Sequence, residues 1–283
     1  MAKKIQSRRD GEGPRDRLSE LPECVLLHIM KFMNTKSVVQ TCVLSKRWKH
    51  LWKYLTILAF KSFFFNNVKN LTKFVSRVLS GRDDSISLHN VEFIRHGVTQ
   101  SQPLNRLMKY VVLHNVQQLT INVTLKSNAV FRPYIFSCQS LTFLKVSVGS
   151  CEPSMIVLIP DSLNMPAIRS LHFDCCTFTI SGRDYAEPFS TCHMLNSLTI
   201  KCCALQNGVK FLTISNKNLS KLTINGCVTI SFFQIELSTP NLRSLTVQGQ
   251  NIYPFLTSCN LSLVEKLSIL THGGTCFERT ELL

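Results

Sequence analysis

Cysteine and histidine are the residue types of this chain that could do chemistry, and the spacing of the cysteines indicates their role. Twelve cysteines and eight histidines occur in 283 residues. Two cysteine pairs are adjacent, Cys175-Cys176 and Cys202-Cys203, whereas zinc sites use cysteines separated by at least two residues. The N-terminus lacks the apolar stretch of a signal peptide, so the thiols are expected to be reduced. The pattern predicts no metal site and no cofactor.

The other candidates for catalysis lack the partners that an active site needs. His272-Gly273-Gly274 resembles an oxyanion-hole fragment without a nucleophile, and the carboxylates Asp83-Asp84 fit a turn after a helix. Neither a G-x-x-x-x-G-K-S/T phosphate loop nor a G-x-S-x-G nucleophile elbow occurs. A cysteine–histidine enzyme stays open on residue counts alone, although no base, nucleophile and orienting group can be recognised together. We therefore expect a protein that is not an enzyme.

A repeated apolar pattern organises the chain from about residue 116. Each copy reads apolar–x–x–apolar–x–apolar, a pattern typical of leucine-rich repeats, and an earlier copy occurs at Leu88-Val91-Phe93. One copy can form a strand with an irregular return, and stacked copies form a curved solenoid with parallel strands on its concave side. The central residues of the copies lie 22 to 27 residues apart: Leu119, Leu144, Leu171, Leu198, Leu222, Leu245 and Leu267.

The repeat gives the cysteine pairs a structural explanation. Cys176, Cys203 and Cys227 each stand three positions after the last apolar residue of a strand. Leucine-rich repeats place Asn or Cys there, where a small polar side chain can bond to the backbone of the turn. These three residues are therefore predicted to form a ladder between neighbouring repeats.

The residues between the apolar positions are predicted to face solvent, because successive side chains of a strand point to opposite faces. They are the candidate contacts for a protein partner. The positions are Ser170, His172, Asp174, Ser197, Thr199, Lys201, Lys221, Thr223, Asn225, Ser244, Thr246 and Gln248.

The N-terminal part has a helical pattern instead. From Leu21-Pro22 onwards, apolar residues recur at steps of three and four through Met33, which predicts a first helix. A short second helix is expected after Asn34, and a third would carry a stripe that includes Trp48, Leu51, Trp52 and Leu55. About 40 residues cannot bury so many large apolar groups among themselves. The stripes must pack either on the rest of this chain or on a partner.

Residues 16–55 resemble an F-box, as found in plant F-box proteins with leucine-rich repeats. The resemblance rests on Leu21-Pro22, on the turn from Ile29 to Lys36 and on LSKRWKHLWK from Leu44 to Lys53. It implies binding to a Skp-type adaptor within an SCF ubiquitin ligase that contains a cullin and a RING protein. The adaptor contacts that it implies are Leu18, Leu21, Pro22, Val25, Leu26, Ile29, Phe32, Leu44, Trp48 and Leu51.

The predicted fold class is α/β, with a three-helix F-box followed by the repeat solenoid. A flexible tail (1–15) and the F-box (16–55) come first. Irregular first repeats with helices (56–115), the regular repeats (116–270) and a tail (271–283) follow. Long helices are expected within residues 68–114, where apolar residues recur at helical spacing.

The charge and the family together give the expected function. The net charge is +15, and residues 1–60 alone hold 12 Lys and Arg against 5 Asp and Glu, so the basic excess lies towards the N-terminus. We expect a substrate-recognition subunit in the nucleus, the cytoplasm or both, with no membrane segment. Relatives often carry a further C-terminal domain. The alternative function is therefore that of a truncated member, a scaffold or decoy that binds the adaptor or another protein without delivering a target. A nucleic-acid-binding protein is the third hypothesis.

Overall fold

A computed structural model describes residue 18 and residues 20–99, 101–125, 134–149, 157–179, 185–206, 211–226, 234–249, 263–270 and 276–280. It shows the predicted mixed α/β architecture, in which a small helical N-terminal domain precedes a solenoid of stacked parallel strands. Among the described residues, none of the helices combines the length and apolar character that crossing a membrane requires.

The α-helices of the described chain all lie before residue 114, as the sequence predicts. Asparagine side chains cap two of them, because Asn34 and Asn67 each accept a hydrogen bond of 2.9 Å from a backbone N–H in the first turn. The four helices are α1 (Glu23–Met30), α2 (Thr35–Gln40), α3 (Val68–Gly81) and α4 (Ser101–Leu113).

The predicted third helix of the N-terminal domain is the main departure from expectation. Residues 46–50 form turns, and only Leu51–Tyr54 form a short 3₁₀ helix. Leu55 is already extended, with ψ of 134°, and the first strand begins at Ile57. Turns and a single 3₁₀ helix thus take the place of the predicted α-helix.

Ten strands form the main sheet, and each regular repeat contributes one of them. All neighbours are parallel except the last pair. In spatial order the strands are β1 (Ile57–Lys61), β2 (Asn90–Thr99), β3 (Gln118–Leu125), β4 (Phe143–Val148), β6 (Ser170–Asp174), β9 (Ser197–Lys201), β12 (Lys221–Asn225), β14 (Ser244–Gln248), β15 (Lys266–Leu270) and β16 (Cys276–Thr280).

The register of this sheet matches the repeat read from the sequence. Leu119 pairs with Leu144, and the same central position continues in line through every strand to Leu267. From β3 to β14 these central leucines are fully buried. Burying an apolar side chain of this size contributes about 2 kcal/mol, so the aligned leucines hold the coils together.

After β4, the described returns between the main strands are short and partly extended, as predicted. They form two small parallel sheets, whereas the returns after β1 and β2 contain the helices α3 and α4. One consists of β5 (Leu158–Ile159), β7 (Thr177–Phe178) and β10 (Ala204–Leu205), and the other of β8 (Tyr185–Ala186), β11 (Phe211–Ser215) and β13 (Gln234–Ser238).

The C-terminal end of the sheet carries a strand in a segment that sequence analysis assigns to a tail. Strand β16 pairs antiparallel with β15, and Ile269 lies opposite Phe277. The parallel stack therefore ends in an antiparallel pair, and β16 forms hydrogen bonds with the backbone groups on the outer edge of β15.

Polar side chains join the N-terminal domain to the solenoid. The buried Arg82, directly after α3, donates two hydrogen bonds to the carbonyl oxygen of Leu55 (2.8 and 3.1 Å) and one to that of Ser87. The buried Thr35 accepts a hydrogen bond of 2.7 Å from the backbone N–H of Ala59 on β1. These contacts fix the two parts relative to each other.

A buried asparagine braces one of the turns between repeats. The Nδ2 atom of Asn216 donates to the carbonyl oxygens of Phe189 (3.0 Å) and Cys192 (2.9 Å) in the preceding coil. Its Oδ1 atom accepts from the backbone N–H of Asn218 at 3.0 Å. The side chain therefore satisfies buried backbone groups of two successive coils.

Replacing this side chain should weaken the solenoid measurably. We expect Asn216→Ala to lower the free energy of unfolding by about 2 kcal/mol, because two carbonyl groups lose their donor. Lys217→Ala is the matched control, since Lys217 is exposed in the same turn and its backbone carbonyl, which accepts a hydrogen bond from Asn241, is retained. Urea unfolding followed by circular dichroism measures both. Equal stability of Asn216→Ala and wild type would contradict the bracing role.

Candidate protein-interaction surfaces

Helix α1 has two apolar sides, and only one of them packs within this chain. Leu26 and Met30, one turn apart, are buried in the core. Val25, Ile29 and Phe32 follow one another at steps of four and three, so they share another side, and Phe32 is 80% exposed. The helix therefore offers an apolar strip to solvent.

Further apolar residues of the N-terminal domain are exposed as well. Of the residues predicted to contact a partner, Leu18, Pro22 and Leu44 lie at the surface, and Leu21 is half-buried. Val43 is 83% exposed and is absent from that prediction, because its position in the 3₁₀ turn after α2 could not be read from helical spacing. We call Val25, Ile29, Phe32, Val43 and Leu44 the exposed apolar set.

Three of the predicted partner contacts are buried inside this chain. Leu26, Trp48 and Leu51 are at most 6% exposed and belong to the continuous hydrophobic core. Trp48 and Leu51 are buried because the turn into β1 folds them inward. Their side chains pack against the core and stabilise the fold of the domain.

The main sheet presents its alternate residues to solvent, as strand alternation predicts. On the strands β6, β9, β12 and β14 every second side chain is buried, and those between are partly or fully exposed. The register aligns the exposed positions in three rows. They are Ser170–Ser197–Lys221–Ser244, His172–Thr199–Thr223–Thr246 and Asp174–Lys201–Asn225–Gln248.

Several of these side chains contact one another or a neighbouring side chain of the sheet. The Nε2 atom of His172 lies 3.1 Å from the Oγ atom of Ser170, and its ring centroid lies 5.3 Å from that of Phe143 on β4. Asn225 donates to the Oε1 atom of Gln248 at 2.9 Å. This surface, which we call the solvent face of the main sheet, is polar and partly ordered by its own hydrogen bonds.

The electrostatic environment of His172 is positive. Partial burial is the main cause that lowers the pKa of His172 below its usual value, and the charges of Lys145 and Lys221 lower it further. The neutral imidazole is therefore favoured more strongly than in an exposed histidine. The positive charges of both lysines therefore influence the electrostatic potential at the centre of the solvent face.

The cysteine pairs occupy the turns that follow β6 and β9. Cys176 and Cys203 are buried, and their thiols contact the carbonyl oxygens of Asp174 (3.5 Å) and Lys201 (3.2 Å). Burial raises the pKa of the Cys176 thiol well above its usual value, which keeps it protonated. The predicted ladder role is confirmed for these two residues, and Cys227 lies outside the described part of the chain.

The first member of each pair takes a backbone conformation that glycine favours. Cys175 and Cys202 have φ angles of 54° and 47°. Cys202 is disulfide-bonded, so the expectation that all thiols are reduced is wrong at this position. Ligand atoms of Asp174, Cys175 and Cys202 lie within 4.8 Å of one another, but the disulfide removes the Cys202 thiolate that a metal ion would need.

Comparison with known proteins identifies the family. The profile of the F-box domain matches residues 18–59. The profile described as "FBD-associated F-box protein At5g56370, LRR repeats" matches residues 104–281. The chain belongs to the F-box proteins with leucine-rich repeats.

Relatives of this F-box/LRR protein come from Arabidopsis thaliana. It is 26% identical over 260 residues to the putative F-box/FBD/LRR-repeat protein At1g66300, which covers 88% of this chain and 54% of that relative. It is 28% identical to the F-box/LRR-repeat protein At4g14096, covering 87% of this chain and 53% of that protein. The chain thus spans about half the length of these relatives. It spans 72% of the F-box/LRR-repeat protein At4g14103, at 27% identity.

The environment of His172 can be tested by NMR titration. We expect a pKa below that of an exposed histidine, and we expect Lys145→Gln to raise it, because removing a positive charge favours the protonated imidazolium. Lys69→Gln is the control, since it removes an equal charge from an exposed site on α3. A pKa that is unchanged by Lys145→Gln would show that Lys145 does not act on His172.

Proposed function

We propose that this F-box/LRR protein is the substrate-recognition subunit of an SCF-type ubiquitin ligase. In this proposal the N-terminal domain binds a Skp-type adaptor, and through it a cullin and a RING protein. The solvent face of the main sheet binds a target protein. The chain itself performs no catalysis, in keeping with a family whose members typically act as non-catalytic receptors.

The exposed apolar side of α1 carries the proposal. Val25, Ile29 and Phe32 are exposed to water although the domain is folded and contributes to the continuous hydrophobic core. Burying a side chain of this size contributes about 1.5–3 kcal/mol of favourable free energy. Contact with a partner that covers these residues would supply that free energy. A helix with an apolar strip at steps of three and four suits binding in a groove of a partner. The family supplies the identity of that partner.

The attachment of the N-terminal domain supports the second half of the proposal. Thr35 bonds the domain to β1, and Arg82, in the loop between α3 and β2, bonds to the domain's last residue, Leu55. A target held on the sheet would therefore keep a fixed place relative to the adaptor. A fixed geometry suits a receptor, since the ligase must reach the bound target repeatedly at the same position.

Adaptor binding can be tested with a double substitution. We expect Ile29→Asp with Phe32→Asp to reduce capture of a Skp-type adaptor at least about a hundredfold, because two carboxylates would be buried in an apolar interface. Leu113→Asp is the matched control, since Leu113 is 76% exposed on α4, outside the N-terminal domain. Co-purification with the adaptor measures capture, and circular dichroism confirms folding. Failure of the wild-type chain to bind excess adaptor would refute the proposal.

A substitution at Leu26 distinguishes a residue that contacts the adaptor from one that only stabilises the fold. We expect Leu26→Ala to lower the free energy of unfolding by about 3 kcal/mol, because Leu26 is fully buried. Below the melting temperature, its folded fraction should still bind the adaptor, because the exposed apolar set is unchanged. Calorimetric titration at low temperature measures the affinity. A large loss of affinity in the folded Leu26→Ala variant would show that Leu26 is itself a contact.

A further inference from the structure

The charges on the solvent face of the main sheet have one predominant sign. From β4 to β15, the outward positions hold four lysines against a single aspartate, Asp174. The lysines are Lys145, Lys201, Lys221 and Lys266, and all four are exposed. At the other end of the sheet, Lys61 is neutralised by Glu92 at 2.9 Å. The positive surface therefore begins at β4 and continues along the regular repeats.

The register places these lysines at regular intervals. Lys221 and Lys266 occupy the same row on strands that are separated only by β14, so their Cα atoms lie about 10 Å apart. Lys145 is the register partner of His172 in the next row, and Lys201 is the partner of Asp174. The positive charges are thus spread along the sheet and are not gathered in one pocket.

Seven of the side chains between the lysines are small and carry hydroxyl groups. They allow the backbone of a partner to approach closely, and each can donate a hydrogen bond to a carboxylate oxygen. These residues are Ser170, Ser197, Thr199, Thr223, Ser244, Thr246 and Ser268.

The local potential agrees with this arrangement. His172 lies among the lysines, and the positive charges of Lys145 and Lys221 both make its protonation less favourable. Asp174, on the same strand, is the register neighbour of Lys201, so it offsets that lysine and leaves the other three. An anionic group above His172 would be attracted by two lysines at once.

We propose that the solvent face from β4 to β15 binds an acidic segment of the target protein, an extended stretch rich in Asp and Glu. The inference rests on the proposed function and names the chemical class of the target. Binding to nucleic acid is less favoured, because the described outward positions of β4 to β15 contain no arginine and one aromatic residue, Phe143. That ring packs on His172, whereas single-stranded nucleic acid needs free aromatic faces for stacking.

The test uses peptides of defined charge with the full chain. A fluorescein-labelled peptide of alternating Glu and Gly is the probe, and the Gln-Gly peptide is its uncharged control. We expect the wild type to bind the acidic peptide with an affinity that falls as salt is raised, and to ignore the uncharged one. The triple variant Lys145→Gln, Lys221→Gln and Lys266→Gln should lose about tenfold in affinity.

A second triple variant controls for net charge. Lys69→Gln, Lys73→Gln and Lys109→Gln remove three equal charges from exposed positions on α3 and α4, and should leave the affinity within about twofold of wild type. Equal losses in the two triple variants, or no binding by the wild type, would overturn the proposal. Tighter binding of single-stranded DNA than of the acidic peptide, dependent on the same three lysines, would also overturn it in favour of nucleic acid. Adaptor capture should be normal in both variants, so failure of adaptor binding by the wild type is recognised separately.

Discussion

Each coil of this protein has an apolar face that it cannot bury alone, and the rest of the structure follows from that constraint. The central leucines, from Leu119 to Leu245, are buried only because the coil before and the coil after cover them. The parallel register is the arrangement that aligns all of them at once. A shift by one residue would turn the leucines towards solvent and the serines and threonines into the core.

The same constraint explains why the solvent face is a continuous surface. Because the inward positions are in register, the outward positions are in register too, and residues far apart in the chain stand side by side. Lys145 and His172 are 27 positions apart and become neighbours on adjacent strands. A surface assembled in this way can change its chemistry row by row without disturbing the core.

The N-terminal domain divides its apolar residues between two tasks. Trp48 and Leu51 enter the core that runs from the helices into the solenoid, while Phe32 and Ile29 remain in water. The bonds from Arg82 to the carbonyl oxygen of Leu55 hold the junction between the two parts. The domain is thus anchored on one side and open on the other.

The repeat period determined the strands, their register and the outward rows from the sequence alone, since alternation along a strand is local geometry. Cys176 and Cys203 could be placed by the same period. Local pattern could not decide which side of an amphipathic segment meets its own chain, so Leu26, Trp48 and Leu51 were predicted as partner contacts and are core. Nor could it show that Leu51–Tyr54 would form only a short 3₁₀ helix, that Arg82 would be buried, or that Cys202 would be disulfide-bonded. Those outcomes depend on which segments pack together, and only the tertiary structure brings those segments into contact.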